Sequence, residues 1–178
     1  MSMRLPAAVV TALFLSAGAA RAQTRCTATG IPSTCTTSRT LSMTIRPVVR
    51  ASVSPAAVNL GTPTASDYNQ GYMQAAGSQT VTVKSNTTWT LTIRSSQGSW
   101  TNVGGRGNKP RGDLEYATSP GGPYTAMPGN GGATALTVAT GTATAGTTVT
   151  IYYRVLWDWT LDSAGSYSLP VILNISAP

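Results

Sequence analysis

The feature that most constrains this chain is a strict two-residue alternation of apolar and polar side chains near its end. Val149, Ile151, Tyr153, Val155 and Trp157 share one parity, which Trp159 continues, and after Asp162–Gly165 the residues Tyr167, Leu169, Val171, Leu173 and Ile175 repeat the pattern. Successive side chains of a strand point to opposite faces, so such runs bury one face of a sheet and cannot form the 3.6-residue stripe of a helix. The same alternation recurs in Leu41, Met43 and Ile45, in Val81 and Val83, in Trp89, Leu91 and Ile93, in Leu114 and Tyr116, and weakly over 133–139.

Gly- and Pro-rich turns at Ser119–Pro123 and Pro128–Gly132 separate these runs. Pro47 and Pro55 confine the segment Val48–Leu60 to an edge strand or a bend, because proline has no N–H to give to a ladder. Residues 61–77 read as a connection, and Ser95–Gly112 as the longest loop. No window carries a helical period. The expectation is an all-β chain, an immunoglobulin-like two-sheet sandwich of seven or eight antiparallel strands over residues 41–178. Trp89, Trp157 and Trp159 share parity with aliphatic neighbours and are expected in the core.

The first residues place that sandwich outside the cytoplasm. Arg4, an apolar run from Pro6 to Ala17 and the small-residue site Ala20-Arg21-Ala22 have the form of a signal peptide spanning residues 1–22. The run is too short to cross a membrane, no later run approaches the ~20 apolar residues required, and no cysteine follows the cleavage site to take a lipid. The expected destination is periplasmic, cell-surface or extracellular, with no integral membrane segment in the mature chain. Cys26 and Cys35 would then lie in an oxidising compartment and are expected to pair, stapling an N-terminal segment over residues 23–40. Only 10% of residues are charged, against about 25% in an average chain. The net charge of +7 is scattered along the sequence, which argues against a nucleic-acid partner and favours weak adhesion to anionic envelope polysaccharide.

Chemistry has few residues to work with. There is no histidine, which removes the commonest general base, the Ser-His and Cys-His pairs and the commonest metal ligand. Of the five acidic residues, Asp113 and Glu115 share a strand face and Asp158 and Asp162 flank a turn, but solvated strand carboxylates and a two-ligand cation site are weak grounds for catalysis or metal binding. The chain is expected to be no enzyme and to need no cofactor or metal. The loop tryptophan Trp100 is expected to fold back as a lid on the sandwich; the alternative is a candidate surface-binding group of Trp100 with the basic residues Arg106, Lys109 and Arg111.

Two resemblances follow from the order of motifs. An alternating segment Ser78–Ile93, then Leu114-Glu115-Tyr116 before a turn, the long strand Val149–Trp157, and Ala164-Gly165-Ser166-Tyr167 leading into Leu169–Ile175 together resemble the spore coat protein U and Csu-type pilin family of exported subunits. The resemblance covers roughly Leu41–Ile175 and departs where Ser85-Asn86 stands in place of a frequent cysteine. It implies a structural subunit that assembles with copies of itself or other surface subunits by strand donation, with Leu41, Met43 and Ile45 as the donated apolar residues. Read from the residues alone, Leu41, Met43 and Ile45 face one way and Ser42, Thr44 and Arg46 the other, which predicts a half-buried strand, and the alternative to donation is that this segment completes its own sandwich. Separately, Trp89-Thr90-Leu91 and Trp159-Thr160-Leu161 resemble the paired W-x-L signatures of wall-binding surface domains, which implies a non-covalent cell-wall or polysaccharide-binding module.

Overall fold

The structure is a computed structural model that describes Thr29, residues 40–129 and residues 135–178. The expected signal peptide and the Cys26–Cys35 staple lie outside the described residues. The chain divides at Thr44 into residues 1–44 and residues 45–178. In the first part, Thr29 and residues 40–44 are exposed and belong to no strand.

Residues 45–178 form the expected all-β antiparallel sandwich, with ten strands among the described residues in place of the expected seven or eight, because a short two-stranded sheet joins the two larger ones. In order they are β1 (Val49–Ser54), β2 (Tyr72–Ser85), β3 (Trp89–Ser95), β4 (Thr101–Val103), β5 (Leu114–Ala117), β6 (Thr125–Ala126), β7 (Leu136–Gly141), β8 (Thr144–Leu156), β9 (Ser166–Ser168) and β10 (Val171–Ser176). A five-stranded sheet runs β1-β2-β8-β5-β6, a three-stranded sheet runs β10-β3-β7, and β4 pairs with β9. Every pairing is antiparallel. The alternating residues meet between the sheets: Trp89, Leu91 and Ile93 of β3 pack against Val81, Val83, Ile151, Tyr153, Val155 and Tyr116, all buried.

Four departures from the sequence expectation have local causes. β2 begins at Tyr72, inside the supposed connection, and a register irregularity between Gln74 and Ser78 disguises its period. A short helix, α1 (Ala65–Gln70), precedes it, started by a capping box in which Thr64 and Asp67 satisfy each other's backbone N–H groups and stopped by Gly71 at φ 80°. The final alternating run is two strands in different sheets, β9 on β4 and β10 on β3, with Leu169 and Pro170 outside both. β8 ends at Leu156, so Trp159, expected in the core, lies beyond the sheet and is 60% exposed.

β1, bracketed by Pro47 and Pro55, lies at the edge of its sheet as expected, and β10 is an edge of the other. The stretch before β1 corrects the expectation of a half-buried strand beginning at Leu41. Residues 40–48 form no strand, and Leu41, Met43 and Ile45 are 97%, 82% and 70% exposed instead of half-buried.

Candidate functional site: an open groove and an unpaired apolar segment

A groove lies between the segment that follows β1 and the segment that leads into β10. After β1 the chain bends at Pro55 and runs without strand pairing through residues 56–63, forming one wall. Opposite it, β9, Pro170 and the start of β10 form the other wall, residues 165–171. Between the walls lie two cavities of about 470 and 260 Å³. Both are lined by Leu60, Gly61, Trp100 and Tyr167, so they form one continuous depression. Its floor is the sandwich core itself: Leu114, Tyr153, Val155 and Met73.

The floor is apolar, and its buried polar groups other than Trp157 Nε1 are hydrogen-bonded. Gln79 receives a hydrogen bond from Tyr153 Oη at 2.9 Å and donates to the Pro55 carbonyl at 3.0 Å. Burial pushes the Tyr153 phenol well above its ordinary range, so it stays a neutral donor. Trp100 donates through Nε1 to the Pro110 carbonyl at 3.0 Å. The buried Trp157 Nε1 has no partner among the described residues, and its ring lines the smaller cavity. Val58, Leu60, Leu169, Val171, Leu173 and Ile175 are only partly buried against the core, so the sandwich leaves apolar surface uncovered along this side.

At the opposite end of β1 the chain is anchored. Asn86 Nδ2 donates to the Arg46 carbonyl at 2.9 Å, Asn86 Oδ1 accepts from the Val48 N–H at 2.7 Å, and Asn86 N donates to the Val48 carbonyl at 3.2 Å. Asn86 therefore fixes the backbone at Arg46 and Val48, just ahead of β1.

Trp100 is buried against the sandwich, as the lid reading expects, and the alternative surface group of Trp100, Arg106, Lys109 and Arg111 is corrected by the structure, since Lys109 is fully buried as well. Lys109 Nζ donates to Asp162 at 2.9 Å, Asp113 at 3.1 Å and the Leu156 carbonyl at 2.6 Å. Arg106 bonds to Asp162 at 3.3 Å, and Arg111 packs so closely over Gly129 that a Cβ there would lie 2.6 Å from its guanidinium. The Gly-rich loop folds inward because these charges find partners inside, which residue type and spacing alone do not reveal. Asp113 and Glu115, the strand carboxylates, are both ion-paired, to Lys109 and Arg154.

The exposed aromatic is instead Trp159, on a turn the sequence placed in the core. It stacks on Tyr68 with centroids 4.6 Å apart and donates through Nε1 to Asn69 at 3.1 Å. The turn is capped by Asp158, whose Oδ1 accepts from Thr160 N, Thr160 Oγ1 and Leu161 N. These bonds hold the Asp158 carboxyl below its ordinary range. The short Thr64-x-x-Asp67 cap and Pro170 are the sequence signals that mark α1 and the break before β10.

No family model matches this chain, and a search of curated proteins finds no match. No helix among the described residues is long and apolar enough to cross a membrane, and no cluster of metal-ligand side chains occurs among them.

Proposed function

We propose that this chain is an exported, non-enzymatic structural subunit that assembles by donating residues 41–45 to the groove of a neighbouring copy. The observation that carries this reading is the coexistence of an unpaired apolar segment and an uncovered apolar groove in one chain. Leu41, Met43 and Ile45 share one parity of a stretch that forms no strand, and all three are exposed. An added strand gains backbone bonds from a free sheet edge and register from alternate side chains.

The test is gel migration of surface preparations with and without boiling. A ladder that collapses to monomer on boiling supports assembly; monomer in both lanes removes it.

A second reading, non-covalent binding to cell-wall polysaccharide, is favoured by the Trp159-Thr160-Leu161 turn, where Trp159 and Leu161 are 60% and 54% exposed on a capped scaffold. Retention on purified peptidoglycan that is lost in Trp159→Ala supports it, and equal retention of both forms removes it.

A further inference from the structure

The charged cluster beneath the 158–165 turn has no part in the groove's proposed work, and its chemistry points elsewhere. Lysine is almost never fully buried unless paired, yet Lys109 is. Its Nζ lies between two carboxylates, 2.9 Å from Asp162 Oδ2 and 3.1 Å from Asp113 Oδ2. The two acids differ in setting: the Asp162 side chain is 1% exposed and that of Asp113 is 22% exposed. The Trp157 ring covers the amine at 4.4 Å. Arg106 Nη1 sits 3.3 Å from the other Asp162 oxygen, Oδ1, and 3.9 Å from Asp113 Oδ2. The Asp158 N–H donates to Asp162 Oδ2 at 3.0 Å.

We propose that Lys109 and Asp162 condense to an intramolecular amide, with Asp113 carrying the protons and Arg106 stabilising the oxyanion. Nζ transfers a proton to Asp113 and its lone pair attacks Asp162 Cγ. Negative charge develops on Oδ1, where the Arg106 guanidinium already lies. A second proton leaves Nζ, and Oδ2 departs with both protons as water. The ammonium's third hydrogen stays on the new amide and keeps the bond to the Leu156 carbonyl. The sum is ammonium plus carboxylate giving amide plus one water, with no oxidant and no co-reactant.

Three physical terms drive it. Both groups are already in contact in a fixed geometry, the condition under which intramolecular reactions gain most. Two buried charges, each costly to desolvate, are replaced by a neutral amide. The covered site withholds the water that hydrolysis would need. Asp162 is the acceptor because its side chain is the more buried of the two acids and its Oδ1 faces Arg106. The bond would tie the 104–113 loop to the 158–165 turn across 53 positions, next to the groove wall that begins at Gly165.

Peptide mapping of the folded full chain, denatured and digested with trypsin, decides the matter. Cleavage after Arg106, Arg111 and Arg154 isolates residues 107–111 from residues 155–178. The amide predicts one joined species, lighter than the two fragments together by one water, with fragmentation placing the link at Lys109 and Asp162. Two separate fragments of full mass, after prolonged incubation of the folded chain, overturn the proposal. Asp113→Asn, checked by circular dichroism to have kept its strands, is expected to leave the fragments separate; a linked product in that variant removes Asp113 from its role.

Discussion

Replacing Met43 by serine separates donation to a neighbour from packing within the chain. Met43 is 82% exposed, so it contributes little to the fold of its own chain. Full burial of a methionine side chain in a neighbour's groove is worth about 1.5–3 kcal/mol. At 1.4 kcal/mol per tenfold, Met43→Ser should weaken association by about 10- to 150-fold. Ser42→Ala, on the opposite parity, should change it by no more than about twofold, because surface substitutions away from such features stay within about 0.5 kcal/mol. Thermal melting of dilute monomer should be unchanged within the same limit for both variants. Sedimentation velocity over a concentration series reads the association, and calorimetry reads the melting. Equal assembly of Met43→Ser and the parent chain would refute donation through this parity. A drop in monomer melting equivalent to the full burial energy would show instead that Met43 packs in its own core.

Three further outcomes test the fold that carries the groove. Leu91→Ala empties a site buried between the two sheets and should cost about 2–5 kcal/mol in chemical denaturation; a cost under about 0.5 kcal/mol would mean β3 does not face the core. A Cβ at Gly165 would lie 2.3 Å from Gly105 N, a backbone atom, so Gly165→Ala should part β9 from β4, lower the melting temperature and distort the smaller cavity, whereas Gly146, with nothing nearby, should accept alanine without loss. Burial raises the Tyr153 pKa, so the unfolded chain ionises first; stability should be level below the ordinary phenol value of 10.0 and fall as pH rises above it, and Tyr153→Phe should flatten that fall in denaturation curves taken across the alkaline range.

Much of the sandwich was legible because period-two burial survives in the sequence wherever a strand is regular. β3, β5 and the second half of β8 were read from Trp89, Leu91, Ile93, Leu114, Tyr116, Ile151, Tyr153 and Val155, and all are buried. Legibility failed where tertiary partners override the local pattern. The irregularity between Gln74 and Ser78 broke the period of β2, and the continuing parity of Trp159 concealed that β8 had ended. Lys109 could not be placed, since a lysine among glycines reads as solvated until Asp113 and Asp162 are known to converge on it. The segment at Leu41, Met43 and Ile45 carries the alternation of a buried strand, yet nothing in a single chain's sequence says which molecule buries it.

Cross-linking between chains measures that directly. In a background with Cys26 and Cys35 replaced by serine, one chain carries Met43→Cys and another carries Leu169→Cys, at the wall of the larger cavity. Mixed under mild oxidation, the two should form a covalent heterodimer faster than either variant dimerises alone. No heterodimer in the mixture, with an internal bridge forming readily when both cysteines are placed in one dilute chain, would contradict donation between copies.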